Sequence, residues 1–104
     1  MLDNIINLTE NDFDEYVATH DGIIITHKTL CPHCKIMGKT LLKVCEKNPE
    51  INIASVDSEA DPALLKKLGV ERVPSLIVFK SGIQKAAKTG IMNPKETLTF
   101  YKQA

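Results

Sequence analysis

The sequence predicts one α/β domain spanning residues 1–104, a mixed central β-sheet with helices on both faces. Three observations predict it. β-branched and apolar runs alternate along the chain with stretches of helical periodicity. Two of those runs, residues 23–26 and 76–79, have no polar alternation, as in strands buried on both faces. The helical stretches begin with a cap residue or a first-turn proline. A chain of 104 residues and 11.5 kDa is the size of one compact unit. It can bury roughly two-thirds of its unfolded surface, enough for one core without staples.

The elements follow in order. Residues 2–8 are apolar enough for a short first strand. Thr9 can cap a helix beginning at Glu10, with Asp12 in the capping-box position and Phe13, Tyr16 and Val17 on its apolar face. Gly22 closes the loop after it, and residues 23–26 form a central strand. Residues 32–47 read as the longest helix. Pro32 suits its first position, and Ile36, Met37, Leu41, Val44 and Cys45 recur on one side. Gly38 weakens this helix by about 1 kcal/mol relative to Ala and is a candidate bend. Asn48-Pro49 stops it. A third strand is expected over residues 51–56, then a short helix from Asp61-Pro62 to Leu68, closed by Gly69. Residues 76–79 form a buried strand. Ser81-Gly82 turns the chain, and residues 83–89 return antiparallel. Asn93, Pro94 and Glu96 supply cap, first-turn proline and third-position acid for a last helix reaching residue 103.

Charge and composition exclude several classes. Lys plus Arg and Asp plus Glu each number 13, so the formal charge is zero. A nucleic-acid binder or a polybasic membrane-surface protein would carry a basic excess. No apolar run approaches the roughly 20 residues of a membrane span. The N-terminus lacks the basic start and long apolar stretch of a secretory signal. The chain is therefore expected to be a cytoplasmic monomer with no nucleic-acid or membrane partner.

Cys31, Cys34 and Cys45 are an odd set, which argues against a stapled secreted framework. Cys45 lies 11 residues beyond Cys34. In a helix that is about 16 Å, far beyond the roughly 7 Å a disulfide tolerates. The same distance argues against a zinc site using all three, and no metal is expected. Cys31 and Cys34, three residues apart, are well placed to pair. They follow a buried strand and open a long helix. There the unpaired N–H groups and the positive dipole end stabilise a thiolate, the reactive form of cysteine. The context is that of a redox C-x-x-C. Cys31 is the expected attacking thiol and Cys34 the resolving one.

With Cys31-Pro32-His33-Cys34 following that strand, Val73-Pro74-Ser75, Phe79-Lys80-Ser81-Gly82 and Gly90, the sequence resembles the thioredoxin family over nearly its whole length. The resemblance implies a thioredoxin-like fold and thiol–disulfide exchange through a reversible Cys31–Cys34 disulfide, with no other cofactor. It implies a cis Pro74 facing the pair, with Leu30, Val73, Pro74 and Gly90 forming the substrate surface. It also implies protein disulfides as substrates and an NADPH-dependent thioredoxin reductase as donor. Two other classes share the motif: a glutathione-linked glutaredoxin, for which Lys28 and Arg72 are the candidate anchors, and a non-catalytic binding subunit.

The departures carry chemistry. Leu30 stands where the family has Trp, and His27 where it has an aromatic. Pro32-His33 replaces Gly-Pro, as in bacterial periplasmic thiol oxidants, whose large helical insertion this chain lacks. Ile25 replaces the buried Asp, and Ile53 its Lys partner. His33 beside the Cys31 sulfur should favour the thiolate and make the couple more oxidising. Without the Asp, water, His33 or His27 must accept the Cys34 proton.

Overall fold

The computed structural model describes residue 2 and residues 4–104. Its elements are β1 (Ile6–Leu8), α1 (Phe13–Thr19), β2 (Gly22–His27), α2 (Pro32–Lys47), β3 (Asn52–Asp57), α3 (Pro62–Leu68), β4 (Ser75–Lys80), β5 (Ile83–Thr89) and α4 (Pro94–Gln103). The sheet order is β1-β3-β2-β4-β5. The first three strands run parallel, and β4 and β5 are added antiparallel. The sheet is mixed, as the pattern of elements predicts.

Strand side chains alternate between faces, and here both faces are covered. Ile23 and Ile25 join Met37, Leu41, Val44, Leu76 and Val78 in a core under α2 and α4. Ile24 joins Phe13, Val17, Leu64, Leu68, Ile77 and Phe79 in a second core under α1 and α3. The continuous apolar runs of β2 and β4 exist because each strand must feed both cores.

Several local expectations need correction. The first strand is only Ile6–Leu8, because Asn4 adopts a left-handed φ of 63° and turns the chain just before it. Position 3 of the expected strand lies outside the described residues. The first helix starts at Phe13 rather than Glu10. The Asp12 carboxylate accepts the Thr9 N–H at 2.6 Å, and the Asp12 and Phe13 amides donate to the Thr9 carbonyl. The residues that look like a helix cap instead close a turn ahead of the helix. On α2 the buried face is Cys34, Met37, Gly38, Leu41 and Val44. Ile36 is 48% exposed and Cys45 half-buried, so those two fall off the edge of the stripe.

Gly22 is the first residue of β2 rather than a loop end. A Cβ there would run into the Asn52 carbonyl, so the β2–β3 ladder requires glycine at this position. At Gly38 the α2 helix continues unbroken. A Cβ there would touch the Leu2 side chain at 3.4 Å, an ordinary van der Waals contact, so the fold does not demand glycine at this position. α4 carries the full capping box: Glu96 N–H to Asn93 Oδ1 at 2.8 Å, and Asn93 N–H to Glu96 Oε1 at 3.1 Å.

Candidate active site

The chain leaves β2 at His27, crosses a four-residue loop and enters α2 through Cys31. Two contacts fix the loop. The His27 carbonyl accepts the Ser58 amide at 2.8 Å, and the Thr29 amide donates to the Glu59 carboxylate at 2.6 Å. That backbone N–H lowers the Glu59 pKa below the usual carboxylate value. Leu30 takes a left-handed φ of 55° and is 90% exposed.

Cys31 is the N-cap of α2, in extended conformation. It is disulfide-bonded to Cys34, with Cα atoms 5.3 Å apart. The Cys34 amide donates to the Cys31 sulfur at 3.2 Å. In the reduced form the same N–H and the helix dipole would meet a thiolate. His33, on the first turn, is exposed. Pro32 occupies the first helical position, where its missing N–H costs nothing.

The Val73–Pro74 peptide is cis. Val73 packs against the core cluster that contains both sulfurs. The Pro74 carbonyl accepts the Gly90 amide at 2.9 Å, which ties the segment before β4 to the one after β5. Gly90 sits at a φ of 107°, where a side chain would be strained. Next to it Ile91 is 47% exposed, and Met92 turns inward so that its amide reaches the Met37 sulfur at 3.2 Å.

A polar lock behind the site has no motif in the sequence. The Thr26 hydroxyl accepts the Ser75 amide at 3.0 Å, and the Ser75 hydroxyl meets the Thr89 hydroxyl at 2.8 Å and donates to the Arg72 carbonyl at 2.6 Å. These bonds join the end of β2 to the start of β4. The available signal was a threonine closing an isoleucine run and a serine directly after Pro74.

His27 is buried at the end of β2, and its Nε2 lies 3.1 Å from Asn7 Oδ1. The Nε2–H tautomer of His27 can donate to that oxygen. Burial lowers the His27 pKa, while Asp57, its partner across the ladder, pulls it back up. Ser55 stands directly opposite Ile25 in the β2–β3 register. Ile53 is opposite Ile23, diagonal to Ile25 on the same face, and packs against the core cluster that contains Ile25. Ser55 donates to the Ile6 carbonyl at 3.0 Å and so serves β1.

Cys45 is remote from the pair. Its thiol donates to the Ile51 carbonyl at 3.3 Å. Lys28 and Arg72 are both exposed. Among the described residues no three His, Cys, Asp or Glu side chains stand together as metal ligands. No helix there is long and apolar enough to cross a membrane.

A family model described as thioredoxin matches residues 4–103. The chain is 28% identical over 99 residues to a putative thioredoxin 2 of Streptomyces coelicolor, covering 94% of this chain and 73% of that protein. It is 28% identical over 95 residues to a thioredoxin of Staphylococcus saprophyticus, covering 90% of each. Among solved structures, it is 40% identical to reduced desulfothioredoxin from Desulfovibrio vulgaris Hildenborough. The TM-score is 0.80, with 95% of this chain and 97% of that chain covered.

Proposed function

This chain belongs to the thioredoxin family and is a protein-disulfide oxidoreductase, and from that premise we propose that it is an electron carrier for protein disulfides. Cys31 is the attacking residue. The observation that carries this reading is the hydrogen bond from the Cys34 amide to the Cys31 sulfur at the start of α2.

The exchange runs in two displacements. The Cys31 thiolate attacks one sulfur of a substrate disulfide, forms a mixed disulfide and expels the other sulfur as a thiolate. The Cys34 thiolate then attacks the Cys31 sulfur. The Cys31–Cys34 disulfide forms, and the second substrate thiolate leaves. Two electrons pass to the substrate, and the two thiolates take up protons from water. Exposed Leu30 and Ile91, together with Val73, Pro74 and Gly90, form the rim on which a substrate segment rests. An NADPH-dependent thioredoxin reductase returns the two electrons, and the cytoplasm is the compartment in which this cycle runs. With His33 in the first turn of α2, the couple is less reducing than that of a Gly-Pro thioredoxin.

A trapping experiment tests the reading. Cys34→Ser leaves the first displacement intact and removes the second. The variant should accumulate substrate and reductase on Cys31 as dithiol-cleavable adducts, and Cys31→Ser should accumulate none. Adducts formed equally by both variants would refute the assignment of Cys31.

A further inference from the structure

α2 carries a lysine at every fourth position: Lys35, Lys39, Lys43 and Lys47. At 3.6 residues per turn these fall in one row, and all four are exposed. The row begins one turn from Cys31 and runs about 18 Å along the helix at roughly 1.5 Å per residue. Like charges four apart destabilise a helix, so the row weakens the element that holds the site. Glu46 is the only acid in α2. The one ion pair among the described residues, Lys67–Asp14, joins α3 to α1 across the other face of the sheet. A chain of zero formal charge has gathered four cations into a single line.

The far half of the row borders a cleft of about 440 Å³ between α2 and the start of α4. Val44, Pro94 and Leu98 give it an apolar lining; Lys43, Lys47 and Lys95 outnumber the single acid, Glu46, around it, and Asn48 completes the rim. A bare basic row would suit any polyanion. The apolar cleft along the row favours a polypeptide carrying both acidic and apolar side chains.

We propose that this ridge docks an acidic segment of a protein disulfide substrate, with one apolar side chain of that segment seated in the cleft, while its disulfide reacts at Cys31. The proposal rests on the oxidoreductase reading above. An extended segment covers 18 Å in about five or six residues at roughly 3.3 Å each. Acids two to six residues from the reacting cysteine, about 7–20 Å along the helix, therefore fall beside Lys35, Lys39 and Lys43. Charge complementarity of this kind acts mainly on encounter rate and is screened by salt.

The test uses the reduced, desalted protein and three peptides of equal length. Each holds one cysteine disulfide-linked to the same chromogenic aromatic thiol, with acidic, neutral or basic residues at the two-to-six positions. Cys31 attacks the peptide sulfur and the chromogenic thiolate leaves. Cys34 then releases the peptide thiol and closes the protein disulfide. The acidic peptide should react about tenfold faster than the neutral one at low salt, and the gap should close at high salt. The Lys39→Gln/Lys43→Gln/Lys47→Gln variant should lose the gap and keep the neutral rate. Equal rates for the three peptides, or an acidic preference that survives in the variant, would overturn the ridge while leaving the oxidoreductase reading intact. A protein inert to all three peptides would overturn both. Sedimentation at low salt covers a second copy as occupant: a dimer that the triple variant abolishes would overturn substrate docking.

Discussion

The amide of Cys34 points at the sulfur of Cys31 across 3.2 Å, within the first turn of α2. A neutral sulfur gains little from that contact, and an anion gains more, because a charge-assisted hydrogen bond is about twice as strong. Cys31 should therefore ionise well below the ordinary thiol value of about 8.5, within the roughly 3.5–7.5 range of helix-start cysteines. Alkylation of the reduced Cys34→Ser variant across pH should reach half its maximal rate below pH 7. In the parent protein Cys31 should be modified before Cys34, which keeps only 1% of its surface against 7% for Cys31. A midpoint near pH 8.5 would show that the helix start does not act on the sulfur.

His33, exposed on the first turn of α2, is expected to act on the same anion from the solvent side. Whatever stabilises the thiolate stabilises the reduced form, and the disulfide becomes the stronger oxidant. Equilibration against a dithiol buffer should place the couple above the roughly −270 mV typical of thioredoxin. His33→Ala should move it to a more negative potential, by about 30 mV for each tenfold change in the equilibrium constant. Because His33 is exposed, this substitution should leave the melting temperature nearly unchanged. A potential that does not respond would separate His33 from the redox chemistry.

His27 contributes to stability rather than to the sulfur. Burial holds its imidazole below the ordinary value, so the folded protein prefers it neutral. Between the lowered folded pKa and the unfolded value of about 6.5 the unfolded chain binds more protons. Stability is thus full above about pH 6.5 and is lost as pH falls through the folded value. Urea midpoints measured from pH 7.5 down to 5 should decline in the parent. They should decline less in His27→Gln, whose side-chain N–H can still serve Asn7. Parallel declines in the two proteins would assign the loss to other groups.

What the sequence disclosed follows from how local each signal is. Pro32 and the Asn93-Pro94-Glu96 cap mark helix starts within a few residues, and both helices begin where those residues say. The C-x-x-C was readable because strand and helix flank it directly. Thr9 and Asp12 were misread because one side-chain bond serves a turn as well as a helix cap. The Thr26–Ser75 lock and the Ile25–Ser55 pairing join residues 49 and 30 positions apart. Such contacts depend on strand register, which no single stretch of sequence states. The lysine row could be counted in the sequence, but its relation to the cleft needed the placement of α4.

Neither Ile25 nor Ser55, its partner across the β2–β3 ladder, offers a carboxylate to the resolving step. Ile25 is fully buried in the same core cluster as both cysteines, and Ser55 turns its hydroxyl to β1. The His27 Nε2 is engaged with Asn7, and with no carboxylate at position 25 water is the expected acceptor of the Cys34 proton. The rate of mixed-disulfide resolution should climb about tenfold per pH unit through neutrality, as a single ionisation requires. Neither His27→Gln nor His33→Ala should alter the shape of that climb. Ile25→Asp should raise the rate at pH 7 and flatten its pH dependence by supplying a base. The same substitution should destabilise the fold by roughly 2–7 kcal/mol, the range for burying a polar group without a partner. Rapid-quench measurement of adduct decay from pH 6 to 9 distinguishes the cases. A profile already flat in the parent protein, or one flattened by losing either histidine, would mean that a side chain rather than water takes the proton.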